Sequence, residues 1–137
     1  MIEEGDVWHY PYLWRWQENR GEAEGRKPRP CVLAVKVVAA GEKTRLFLLA
    51  ITSKSPDTAT AALRIPDIEK RRAGLASDLE LWIILNEVNV DILETSFYLE
   101  PNGKVGSFSA SFLKAIKGEL LAQMKQTRLR PISRCDG

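Results

Sequence analysis

The chain reads as a mainly β protein: a small barrel or strongly bent sheet, closed by one C-terminal α-helix. Three observations predict it. Residues 30–39 (PCVLAVKVVA) and 44–53 (TRLFLLAITS) are apolar, β-branched runs separated by Gly41-Glu42, the signature of a hairpin. Further short strand-like runs recur at turn-rich spacing around them, as in small sheets that remove their own edges. From Ser109 the apolar period lengthens to about 3.6, with Leu113, Ile116, Leu120 and Met124 in one stripe and Phe112 and Leu121 flanking it.

The elements follow in order. Val7, Trp8 and Tyr10 predict a first strand, which Pro11 ends because proline cannot donate to a ladder. Residues 11–28 then form a long polar connection, of the length that is usually functional or mobile, and its Tyr12, Trp14 and Trp16 need a partner surface. The hairpin 30–53 is expected at the centre of the sheet. A shorter strand is expected near Ala61–Ile65. Residues 79–88 alternate Leu79, Leu81, Ile83 and Leu85 with Glu80, Trp82, Ile84 and Asn86, so both faces of that strand should be partly covered. Ser109, following Gly103 and Gly106, is positioned to cap the closing helix. The predicted organisation is one domain over residues 1–126 with a basic flexible tail over 127–137.

The 137 residues, 45% of them apolar, suffice for one core without disulfide or metal staples. Twenty Lys and Arg against 18 Asp and Glu give a formal net charge of +2, which excludes a whole-chain field for nucleic acid or membrane and leaves only local clustering. Glu3, Glu4, Asp6, Glu18, Glu22 and Glu24 crowd the N-terminal stretch, while Lys114, Lys117, Lys125, Arg128, Arg130 and Arg134 crowd the C-terminal one. Two cysteines, Cys31 in an apolar strand and Cys135 in a polar tail, form neither a disulfide framework nor a zinc spacing. His9, the single histidine, is too little for a metal site or a histidine-based triad. The acidic start MIEEGD lacks the basic and apolar regions of a signal peptide, and LFLLAI is far too short to span a bilayer, so a soluble cytoplasmic protein is expected.

Four segments together resemble the PemK/MazF family of toxin endoribonucleases, the growth inhibitors of bacterial toxin–antitoxin pairs. Gly5-Asp6-Val7-Trp8 matches the family's opening strand G-D-[IV]-[WY], and Arg29-Pro30-Cys31-Val32-Leu33 its R-P-x-[VL]-[VL]. Ala50-Ile51-Thr52-Ser53 is similar to its [AP]-[IV]-T-[SA], and Leu81 to Asp91 resembles its later strand and the short one after it. Their order and spacing, with the closing helix, cover most of residues 5–125.

The resemblance implies an SH3-like barrel, a homodimer, and a hydrolase that cuts single-stranded RNA without metal or cofactor and is held in check by a small antitoxin protein. In such chemistry the substrate's own 2′-hydroxyl is the nucleophile, and the protein aligns it and stabilises charge on phosphorus. An arginine fork suits that task, because it binds two phosphoryl oxygens at once. Residue by residue, the resemblance assigns the catalytic roles to Arg29 and Thr52. Pro28 and Pro30 restrict the backbone around Arg29, so its side chain leaves a stiff base. Substrate binding falls to Lys27, Ser53, Glu24 and Glu87, with Trp14 and Trp16 offered as stacking platforms for unpaired bases. The chain departs from the family where Lys27 replaces a common Gly, where Ala23-Glu24 stands near the usual acidic loop residues, and where Asn86-Glu87 stands at the later polar pair. An alternative of a different class is a catalytically silent SH3-like barrel that binds RNA or a peptide.

Overall fold

Apolar side chains alternate across the hairpin of β2 (Arg29–Val37) and β3 (Arg45–Thr52) so that both of its faces are buried. Cys31, Leu33, Leu46, Leu48 and Ala50 belong to one cluster, and Val32, Ala34, Leu49 and Ile51 to the other. That double burial is why the two runs read as continuously apolar. The computed structural model describes residues 2–22, 27–38, 41–96, 98–126 and 131–134.

β1 (Asp6–Tyr10) pairs antiparallel with β2 on one side and with β7 (Lys104–Ser107) on the other. β3 divides its partners. Its first half pairs with β6 (Asn89–Ile92), and its end, Ile51 and Thr52, pairs with β5 (Trp82–Ile84), which carries β4 (Ala62–Arg64) beyond it. A register shift between Leu33 and Val35 interrupts the β2–β3 ladder opposite Phe47 and Leu48, near the end of β3's pairing with β6. All these ladders are antiparallel. The exception is β8 (Ile132–Ser133), which lies parallel to β6.

The result is an eight-stranded, mainly β sheet with a helix near the C-terminus, and it is open. The expected closed barrel is therefore corrected: among the described residues no ladder joins β4 to β7, the two ends of the strand path. The connection after β1 is not structureless either. It contains α1 (Arg15–Asn19), whose first turn is fixed by the Gln17 side chain accepting from the Trp14 N–H at 3.0 Å. Residues 23–26, which include Glu24, lie outside the described residues.

α3 (Ala110–Gln126) starts as expected at Ser109, whose hydroxyl accepts from the Phe112 N–H at 3.1 Å. The Ser109 N–H and hydroxyl in turn donate to the Glu69 carboxylate, tying the cap to α2 (Asp67–Arg72). The buried stripe differs from the expected one: Phe112, Ile116 and Leu120 face the core, Leu113 is half-buried and Met124 is 56% exposed. The packed line advances by four residues from Phe112 through Ile116 to Leu120, and its next member, Met124, is exposed. In the 79–88 run, Leu81, Ile83 and Leu85 are buried as the alternation predicts, whereas Leu79 is exposed and only Trp82–Ile84 are paired as strand.

Two glycines are structural requirements. Gly5 adopts a φ of +92° between its bonds to the Leu33 carbonyl and the Phe108 N–H, a left-handed conformation that disfavours any side chain. At Gly106 an added Cβ would fall 2.3 Å from the Ala73 carbonyl oxygen, so the end of α2 packs directly on the β7 backbone.

The segment expected as a flexible tail is partly built in. Ile132 is fully buried, and Arg134 is buried with its guanidinium over the Tyr98 and Tyr10 rings at 4.0 and 5.5 Å. Its Nη1 donates to the Pro11 carbonyl at 2.6 Å. Residues 127–130 and 135–137, including Arg128, Arg130 and Cys135, are outside the described set. Acidic and basic stretches also meet: Lys36 bonds to Glu3 and through its N–H to Glu4, Lys117 pairs with Glu4, and Lys104 with Asp6. Of these contacts, the Lys117–Glu4 pair joins the N-terminal acidic stretch to the C-terminal basic one.

Candidate functional site

β1 pairs Tyr10 with Arg29, which sets the arginine at the first position of β2. The β2–β3 register aligns Cys31 with Ala50, and its continuation sets Arg29 opposite Thr52. Two residues 23 positions apart in sequence therefore lie side by side at one end of the central hairpin.

Arg29 and Thr52 line a groove of about 520 Å³ together with Trp14, Trp16, Lys54, Asn86 and Glu87. The Arg29 guanidinium lies 5.0 Å from the Trp14 ring centroid, a cation–π contact that engages its face and not the N–H donors in its plane. Trp14 is in turn braced edge-on by buried Tyr12 at 5.0 Å. The Thr52 hydroxyl oxygen accepts from the Lys54 N–H at 3.1 Å, so its own proton remains to be donated. Trp16 is 45% exposed, with the Arg20 guanidinium 5.2 Å from its ring. Both tryptophans of the α1 segment thus face the groove, and a short helix delivers them where the sequence predicts only a loop.

Glu87 follows β5 and is half-buried in the same groove, accepting from the Arg15 N–H at 3.1 Å. Burial raises its pKa above the ordinary glutamate value, only partly offset by the Arg15 N–H. The neighbouring Tyr12 hydroxyl is buried and makes no hydrogen bond of normal geometry; burial first, and the Glu87 charge next, push its titration far up.

Since the folded chain holds the Glu87 proton more tightly than the unfolded chain does, this carboxyl destabilises the fold as pH rises from the ordinary glutamate range through the raised folded value. Glu87→Gln keeps an acceptor for Arg15 and removes that loss. Thermal melts from about pH 4 to pH 8 should show the variant gaining on the wild type as pH rises. A stability difference between wild type and variant that stays constant across that pH range would show that Glu87 carries no such penalty.

Of the other residues predicted for the site, Ser53 is exposed and lines a neighbouring hollow with Arg29 and Thr52, Lys27 is exposed and lines neither, and Glu24 lies outside the described residues. Sequence reasoning missed Lys54, Asp57 and Thr60, which also line the groove from the segment after β3. Their one signal is the run SKSPDTAT, whose Asp57 side chain accepts from the Ala59 N–H and the Thr60 hydroxyl and folds the loop on itself. Cys31 is wholly buried and its thiol is shifted up by burial, in keeping with core packing; His9 is exposed on β1. Among the described residues no group of three or more His, Cys, Asp or Glu is arranged to hold a metal, and no helix is long and apolar enough to cross a membrane. Compared with known families and with curated proteins, the chain matches no family model and no curated protein.

Proposed function

We propose that the protein is a metal-independent endoribonuclease of the PemK/MazF toxin type, cutting single-stranded RNA in the cytoplasm. The observation that carries this reading is the convergence of Arg29, Thr52, Trp14, Trp16 and Glu87 on one groove, although they come from four separate stretches of sequence. The bent, helix-backed sheet is taken as an open variant of the SH3-like architecture that the resemblance implies. A homodimer, and a small antitoxin protein that covers the groove, belong to the same proposal.

In the proposed reaction the 2′-oxygen of the substrate attacks the adjacent phosphorus. The new bond is O2′–P, and the bond that breaks is P–O5′. Arg29 spans two phosphoryl oxygens and stabilises the charge that grows on them in the transition state, and the Thr52 hydroxyl donates to one of them. Glu87 lines the same groove, and its burial holds a proton more tightly than an ordinary glutamate does, so it is the residue assigned to take the 2′-hydroxyl proton. Water protonates the departing 5′-oxygen. Trp14 and Trp16 supply faces for unpaired bases, each stacked base contributing about 1–3 kcal/mol.

The test is incubation of the pure protein with single-stranded RNA in EDTA. Discrete fragments with 2′,3′-cyclic phosphate and 5′-hydroxyl ends are expected, and one 2′-deoxy residue at the cut site should block cleavage there. Cutting of the deoxy substrate would overturn the mechanism. RNA that is bound but left intact would point instead to a catalytically silent RNA-binding protein.

A further inference from the structure

A second, smaller hollow of about 240 Å³ adjoins the aromatic groove. Arg29 and Thr52 line both spaces, so this pair forms the partition between them. The chemistry changes across it. Beyond Arg29 and Thr52 the smaller hollow is walled by Pro30, Leu75, Ala76, Leu79 and Leu81, with Ser53 adding a hydroxyl.

We propose that this hollow receives the unpaired base of one nucleotide flanking the phosphate at Arg29 and Thr52, and so selects which nucleotide is accepted beside the cut. The inference rests on the endoribonuclease reading. A phosphate held on the partition puts its two flanking nucleosides within reach of both spaces, and one side already offers Trp14 and Trp16. The hollow is smaller than the roughly 300–1,000 Å³ of pockets for drug-sized ligands, which suits a single heterocycle. Its apolar walls match the face of a base, while the charged phosphate stays on the arginine.

The wall is also built rather than loose. Buried Lys70 donates to the carbonyls of Leu79 at 2.6 Å and Ser77 at 3.4 Å and pairs with Asp67 at 3.1 Å. This ties the loop that carries Leu75, Ala76 and Leu79 to α2. Leu79 is thereby held 46% exposed at the hollow instead of folding into the core.

Ala76 and Leu79 are both exposed, so substitutions there spare the core. The experiment sequences the fragment ends produced from randomised single-stranded RNA by the wild type, Ala76→Trp, Leu79→Ala and Arg29→Lys. Ala76→Trp, which fills the hollow, and Leu79→Ala, which strips its wall, should relax nucleotide preference on the same single side of the cut. Arg29→Lys should lose rate while keeping both preferences. In a parallel arm, a non-cleavable 2′-deoxy RNA made abasic at the selected position should bind the wild type roughly 5- to 100-fold more weakly than its intact counterpart, and bind Ala76→Trp no differently. Unchanged preferences in both hollow variants would overturn the assignment. If the wild type cuts no RNA, the endoribonuclease reading fails by itself; abasic RNAs that all bind as tightly as the intact strand would then overturn the base site separately.

Discussion

Arg29→Lys is expected to lower RNA cleavage by roughly 10²–10⁴-fold, about 3–5 kcal/mol of transition-state stabilisation, while RNA affinity falls far less. The charge survives the substitution, so any loss of rate reports geometry. Lysine offers one point donor where arginine offers a planar fork, and the fork is already aimed: β2 fixes its Cα opposite Tyr10, and the Trp14 ring lies 5.0 Å from its centre. A lysine ammonium at this position is more strongly hydrated and has no planar face to lay on Trp14, so it also samples more orientations. Thr52→Val should hurt less, since it removes one hydroxyl donor to a phosphate that Arg29 still holds. Single-turnover rates against binding to a non-cleavable RNA separate the two effects. Equal cleavage by wild type and Arg29→Lys would remove Arg29 from the chemistry.

Most of what positions this arginine was legible in sequence, because it depends on local pattern. The two apolar runs and Gly41-Glu42 define the hairpin, and the hairpin's register brings position 29 to position 52. Less legible was everything governed by contacts distant in sequence. Nothing near Ile132 announces a strand, because β8 is two residues long and exists through its pairing with β6. Arg134 reads as a solvated tail charge until the rings of Tyr10 and Tyr98, far away in sequence, are seen beside it. α1 was hidden for a related reason: five residues are too few for a helical period, and its first turn relies on a Gln17 bond to the backbone of Trp14. Closure of the sheet was misjudged because strand count and spacing say nothing about whether the last ladder forms. Glu87 shows the limit for the site. Its position near a polar pair was visible, but the burial that raises its pKa comes from the fold around it.

Ile116→Asp should abolish soluble folding, whereas Met124→Asp, two turns further along the same helix, should be nearly neutral. The sequence alone assigns both residues to one apolar stripe, so the pair tests the correction directly. Ile116 has no exposed surface and sits in the larger core cluster with Val32, Ile51, Phe112 and Leu120. A carboxylate there has no paired cation, and either stays charged at a cost of several kcal/mol or takes up a proton and still leaves a buried hydroxyl to satisfy. It also gives up the transfer energy and packing of the isoleucine. Against a total stability of about 5–15 kcal/mol for a domain of this kind, that sum removes most or all of the margin. Met124 is more than half exposed, and an aspartate there meets water at the modest cost of an unfavourable charge near the helix C-terminus. Expression yield and denaturant midpoints of the two variants, compared with wild type, decide the matter. If Ile116→Asp folds as well as Met124→Asp, α3 does not bury the face described here.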